Sequence, residues 1–161
     1  MDTATRQARL GALLAQQQDG AAAMLAALEA EYRALQARDL NAFEQAVAEK
    51  QRTVAYLEQQ ERHGLPEVAR LIDAAPSGQN ITAFVLRTRD AVLSETWQTL
   101  QQTLGVCREQ NLLNQRILET SRQRLRQTLA LLRGEDGRSG TYAHSGRTDE
   151  DDRGGQSLAM V

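Results

Sequence analysis

The chain has 161 residues, of which 41% are hydrophobic and only 4% aromatic, and its formal net charge is −2. Alanine and leucine dominate the apolar residues, and glutamine, arginine and glutamate the polar ones, which favours α-helix over strand. We expect neither a signal peptide nor a membrane-spanning segment, because the required apolar stretches are missing. The single Cys107 excludes an internal disulfide and suits a reducing compartment. These features predict a soluble, cytoplasmic, all-α protein.

Two helices are predicted in the first part of the chain. The first runs from near Thr5 to Ala37, and its coiled-coil-like seam comprises Leu14, Gln18, Ala21, Leu25, Leu28, Tyr32 and Leu35. Asp39, or Asn41 with Glu44, can cap the second helix after a tight turn. The apolar face of that helix comprises Leu40, Phe43, Val47, Val54 and Leu57, and Lys50 is expected to extend from it toward solvent. The helix is predicted to end near His63 and Gly64, which completes an antiparallel hairpin.

A connector and one long helix follow. Residues 64–80 contain both prolines of the chain and are predicted to hold a short helix with Pro66 in its first turn, ending before Pro76. From Ile81 to Arg133 there is no proline, so we expect one helix roughly 80 Å long. Its seam comprises Leu93, Trp97, Leu100, Leu104, Cys107, Asn111, Asn114, Leu118, Ser121, Leu125, Thr128 and Leu132. The hairpin is too short to cover this seam, so its C-terminal part should remain uncovered in a monomer.

The fold class predicted from these elements is all-α: a helical hairpin, a short connector helix and one long C-terminal helix in an elongated, coiled-coil-like bundle. We expect a helical domain of residues 1–133 and a flexible, acidic, glycine-rich tail of residues 134–161. Six of the eleven glycines fall in that tail, which has almost no bulky apolar residues. Tyr142 is its most conspicuous side chain, either an anchor for a partner or incidental.

No residue pattern predicts an enzyme, a cofactor or a metal site. His63 and His144 lack ligands at metal-binding spacing, and Cys107 and Trp97 fall on the seam, where a core role is expected. The seam amides Asn111 and Asn114 either fix the register of the helices or lie at the solvent-exposed end of the bundle. Both interpretations place the boundary between the packed part of the long helix and its uncovered C-terminal part near residue 111.

The last part of the long helix is an apolar stripe beside arginines. The stripe comprises Ile117, Leu118, Leu125, Leu129 and Leu132, with Arg122, Arg126 and Arg133 on the opposite side. Ordinary bundle packing explains such a stripe, and so does recognition of a partner helix. Self-association through residues 111–133 is one alternative, and binding of nucleic acid through the arginines is a weaker one, because the chain as a whole is acidic.

The order of these features resembles the flagellar export chaperones of the FlgN type. The resemblance covers most of residues 10–146. It rests on "ALEAEYRALQARDLNAFEQAVAEKQRTVAYLEQQERHG", then "WQTLQQTLGVCREQNLLNQRILETS", the leucine-rich helix and "TYAHSG". It implies a cytosolic chaperone that holds hook–filament junction proteins unassembled and delivers them to the flagellar type III export gate. By the same resemblance, the leucine stripe would grip the C-terminal helices of the client and Tyr142 would contact the cytosolic domain of the gate. Residues 149–161 extend beyond the resemblance and are assigned no role.

Overall fold

The computed structural model describes residues 2–133, which form four α-helices and no strand. The helices are α1 (Thr3–Ala37), α2 (Leu40–Ile72), α3 (Gly78–Thr88) and α4 (Ala91–Arg133). This confirms the all-α fold class, with a hairpin, a short helix and a long C-terminal helix. The predicted acidic tail, including Tyr142 and His144, lies outside the described residues.

Each of the four helices begins at a side-chain cap. The carboxylate of Asp2 accepts the backbone N–H of Thr5 at 2.7 Å, and that of Asp39 accepts the N–H of Ala42 at 3.0 Å. The Ser77 hydroxyl caps α3, and the Asp90 carboxylate accepts the N–H of Leu93 at 3.1 Å in α4. These caps satisfy backbone donors that the first turn of a helix leaves unpaired. Asp39 is the first of the two caps expected from the sequence.

The predicted end of the second helix near Gly64 is wrong. α2 continues through Gly64 and contains Pro66 in its interior. The predicted short helix with Pro66 in its first turn is therefore the end of α2 and not a separate element. Proline removes one helical hydrogen bond and crowds the preceding turn, at a cost of about 3 kcal/mol. The next turns place Val68, Leu71 and Ile72 in the core. Burial of each such side chain contributes roughly 1.5–3 kcal/mol, which offsets the cost of the proline.

The predicted single helix from Ile81 to Arg133 is also interrupted. Arg89 adopts a left-handed conformation with φ of 54°, and Asp90 then caps α4. The break makes α3 a separate short helix that buries Ile81, Phe84 and Val85 in the core. Beyond it, α4 is continuous through Gly105 and Asn111.

Within the first part of the chain, α1 lies between α2 and α4. Arg9 contacts Glu67, and Glu31 contacts Lys50, so α1 and α2 run antiparallel as predicted. On its other side α1 runs parallel to α4: the Gln18 amide donates to the Thr103 hydroxyl at 3.0 Å, and the Cys107 thiol lies 3.5 Å from the carbonyl oxygen of Ala21. The main core lies where all four helices meet, at one end of this arrangement.

The contacts divide the chain into two compact units, Met1–Arg124 and Leu125–Val161. The first contains α1, α2, α3 and most of α4, with the hydrophobic core. Of the second, the structure describes residues 125–133, which are helical to Arg133.

Candidate functional site

The described residues of the second unit present an apolar stripe to solvent. Leu125 is 60% exposed, Leu129 41% and Leu132 78%. Their spacing of four and three residues places them on one helix face. Leu131 is exposed beside them and was not singled out from the sequence, because it falls outside the seam. Three of the five residues predicted to bind a client are therefore accessible on this segment.

The other two predicted residues, Ile117 and Leu118, lie on the part of α4 that belongs to the first unit. Both are half-buried. Leu112 and Leu113, which the seam pattern also passed over, are more exposed than either. The pair "LL" in "NLLNQ" was the available signal, since two adjacent leucines cannot both occupy one narrow seam.

A buried polar cluster ends the covered seam of α4. The Asn114 amide donates to the Leu28 carbonyl oxygen and to the Glu31 carboxylate, each at 2.9 Å, and its own oxygen accepts from Gln110 at 3.1 Å. Glu31 also pairs with Lys50, whose Nζ lies 2.7 Å from its Oε1. The prediction that Lys50 extends to solvent is therefore wrong, because a buried carboxylate on α1 attracts it. Asn114 confirms the register interpretation of the seam amides, whereas Asn111 is only half-buried.

A groove that the sequence did not predict lies between α2 and α4, over α1. We call it the α2–α4 groove; it is lined by Leu14, Met24 and Leu28 of α1, Val54 and Leu57 of α2, and Leu104 of α4. It consists of two depressions of about 290 and 580 Å³, and Leu104 lines both of them. Leu104 belongs to the predicted seam, yet its side chain is exposed.

The residues considered for chemistry have structural surroundings. Trp97 is buried in the core, and its indole N–H donates to the Thr82 hydroxyl at 2.9 Å. Cys107 is buried, and burial raises the pKa of its thiol, which lowers the fraction of reactive thiolate. Within residues 2–133, no three His, Cys, Asp or Glu side chains are grouped as metal ligands. His63 is exposed on α2.

Comparison with protein families decides what kind of protein carries these surfaces. Residues 1–150 match the FlgN family model, described as FlgN protein. The chain belongs to the FlgN family. Members are flagellar export chaperones rather than enzymes, and membership implies binding of flagellar hook-associated proteins. Searches of curated proteins and of solved structures returned no match.

For a flagellar export chaperone, apolar surfaces left open on a folded helical scaffold are the natural places to hold another protein. Among the described residues, the leucine stripe (Leu125, Leu129 and Leu132) and the α2–α4 groove are surfaces of this kind. The family assignment covers both and does not distinguish between them. None of the described helices has the length and apolar character needed to cross a membrane.

Proposed function

We propose that this protein is a cytosolic export chaperone for hook–filament junction proteins. It binds the C-terminal helices of these clients, prevents their premature assembly and delivers them to the flagellar type III export gate. The client-binding residues are Ile117, Leu118, Leu125, Leu129 and Leu132. The helical domain of residues 1–133 binds the client, and Tyr142, in the tail of residues 134–161, contacts the gate.

The single observation that carries this proposal is the exposure of the leucine stripe in a family of export chaperones. Large apolar side chains aligned on an exposed helix face favour docking of a second amphipathic helix. Client subunits that polymerise through terminal helices are kept apart when a substitute leucine face covers those helices. No nucleotide is required for this mechanism.

The size of the stripe indicates a transient complex. Covering Leu125, Leu129 and Leu132 from their present exposure contributes about 3–5 kcal/mol, taking roughly 1.5–3 kcal/mol for a fully buried leucine. Association costs an estimated 4–15 kcal/mol in lost freedom of motion. The stripe alone therefore does not hold a client firmly, and half-buried Ile117 and Leu118 add little. A weak grip suits a chaperone that must release its cargo.

The test is titration of the full chain with a labelled C-terminal fragment of a hook-associated protein from the same organism. The double variant Leu125→Ala/Leu129→Ala should weaken binding roughly 10- to 150-fold, because it removes about 1.5–3 kcal/mol of burial. Leu112→Ala is the matched control, since Leu112 is 52% exposed on the same helix but lies on another face. Its affinity should stay within about twofold of the wild type.

Three results would contradict the proposal. Unchanged affinity of the double variant would place the client elsewhere. A fragment that fails to bind, while sedimentation shows tight self-association lost in the double variant, would indicate a structural coiled-coil protein. Salt-dependent binding of nucleic acid, with no binding of the fragment, would indicate that the arginines of residues 116–133 contact phosphate groups of nucleic acid.

The contact with the export gate is proposed for Tyr142, on the family resemblance alone. An aromatic side chain between small residues is suited to fill a pocket on a partner. Tyr142→Ala should therefore retain affinity for the client fragment while reducing export of the full-length client from cells. Normal export by this variant would remove Tyr142 from the mechanism.

A further inference from the structure

The middle of α2 has an apolar face that no other part of residues 2–133 fully covers. Between Ala46 and Val68, the only buried residue of α2 is Thr53. Leu57 is half-buried, and Val54 is exposed. Opposite them, Leu104 of α4 is exposed although its seam neighbours Leu100 and Cys107 are buried. The side chains that line the α2–α4 groove are thus apolar and only partly covered.

The groove has the dimensions of a missing helix. Along α4 it extends from Trp97 to Asn111, a rise of about 14 residue steps, which corresponds to roughly 21 Å or four helical turns. α1, α2 and α4 form three sides of a helical bundle, and a fourth helix in the groove would close it. Its leucine-sized side chains at steps of three and four would contact Leu57 and Leu104.

Charged residues on the rim indicate what the fourth helix should carry. Arg108 stands at the Asn111 end, and no carboxylate of residues 2–133 lies within ion-pair distance of it. Lys50, at the same end, is already neutralised by Glu31. Glu61 lies at the Trp97 end and makes no ion pair with any residue that the structure describes. A helix with an acidic residue facing Arg108 and a basic residue facing Glu61 complements both ends.

We infer that the α2–α4 groove is a second client-binding surface, which takes an amphipathic helix of about four turns from the C-terminal region of a hook-associated protein. This inference rests on the proposed function and deepens it. The leucine stripe supplies less energy than association costs, whereas a second helix seated in the groove would supply the missing burial. The two surfaces then hold two different helices of one client.

Two native side chains report on the groove without any substitution. Trp97, the only tryptophan, lines its smaller depression, and Cys107, the only cysteine, lines the larger one. A client fragment without tryptophan or cysteine should change the emission of Trp97. It should also slow modification of Cys107 by a maleimide reagent at least about tenfold at saturation, because a seated helix closes the groove through which the reagent reaches the buried thiol.

Two pairs of variants of the full chain separate the groove from the stripe. Leu104→Gln should weaken binding of the fragment roughly tenfold, whereas Leu112→Gln, on the same helix outside the groove, should change it less than twofold. Arg108→Glu should also weaken binding, and a fragment with its facing acidic residue changed to lysine should recover it. Arg116→Glu is the matched control for charge. Circular dichroism checks that every variant is helical.

The outcomes distinguish this inference from the proposed function. A fragment that binds through Leu125 and Leu129, with Trp97 emission, Cys107 modification and the Leu104→Gln variant all unaffected, overturns the groove and leaves the function intact. If modification of Cys107 became slower at higher protein concentration without the fragment, a second copy of the chain would occupy the groove, and the inference would also be overturned. A fragment that does not bind at all refutes both.

Discussion

Lys50 is the only lysine among the 19 basic residues of the chain, and its position predicts a large effect of its removal on stability. Its Nζ lies 2.7 Å from a carboxylate oxygen of Glu31, which is only 2% exposed. The other carboxylate oxygen accepts from Asn114. Lys50→Met keeps the apolar stem of the side chain but leaves the buried carboxylate with a single amide donor. Uncompensated burial of that charge should lower the free energy of unfolding.

The magnitude follows from the burial of the two partners. Removing one partner of a fully buried ion pair costs about 3–5 kcal/mol. The Lys50 side chain is 25% exposed, so water can reach part of the site, and we expect a loss of about 2–3 kcal/mol. The double variant Glu31→Gln/Lys50→Met should be less destabilised than Lys50→Met alone by about 1–2 kcal/mol, because no charge remains buried.

Urea unfolding followed by circular dichroism measures these differences. Arg62→Met is the control, because Arg62 lies 3.8 Å from Glu58 in an exposed pair on the same helix, and its change should stay within about 0.5 kcal/mol. If Lys50→Met were as mild as Arg62→Met, water would have to reach the carboxylate of Glu31. If the double variant lost as much stability as the single variants Glu31→Gln and Lys50→Met together, the two side chains would act independently, and the reasoning would fail.

The remaining predictions concern an ion pair and two glycines. Hydrogen bonding from Arg9 holds the pKa of Glu67 below its ordinary value of 4.5. The stabilisation that the Glu67 carboxylate provides is therefore present above pH 4.5 and is lost as the pH falls through the lower pKa of the folded state. The melting temperatures of the wild type and Glu67→Gln should therefore differ at neutral pH and converge in acid; a constant difference would refute the assignment. Gly105→Ala should raise the free energy of unfolding by about 0.5–1 kcal/mol, because its new methyl group enters open space in mid-helix. Gly20→Ala should show no such gain in urea unfolding, because its methyl group would collide with the Leu57 side chain; equal gains would mean that Leu57 moves aside freely.

Helix existence and direction could be predicted from the sequence, but helix ends could not. The prediction ended the second helix at Gly64 because glycine readily adopts the left-handed conformation that closes helices. The helix ends in this chain instead use Arg38, Asp73 and Arg89, with φ between 54° and 57°. A non-glycine residue in this conformation costs roughly 1–2 kcal/mol, which the burial of one core side chain can offset. Composition alone therefore gave no signal for the break before α4, although Asp90 was available as a cap.

The candidate surfaces were predictable to different degrees for a related reason. Periodicity shows which residues share a helix face, so the stripe of Leu125, Leu129 and Leu132 could be found before its exposure was known. It does not show whether two apolar faces meet. Leu57 and Leu104 both belong to predicted apolar faces, and only the packing of α2 and α4 on opposite sides of α1 leaves a groove between them. Likewise, the sequence pattern of α2 does not show that Lys50 forms an ion pair with the Glu31 carboxylate of α1.

The position of Asn114 connects stability to the proposed function. A leucine there would extend the apolar seam between α1 and α4 and would be expected to stabilise the fold, since buried polar groups are often less favourable than well-packed apolar ones. The amide instead satisfies the Leu28 carbonyl and the Glu31 carboxylate, which permits one register of α4 against α1. A register shift would leave both acceptors unpaired at a cost of about 1–3 kcal/mol each. No residue of α4 after Asn114 is buried. The polar cluster thus ends the seam at a defined residue, and the leucines that follow remain available to the proposed client.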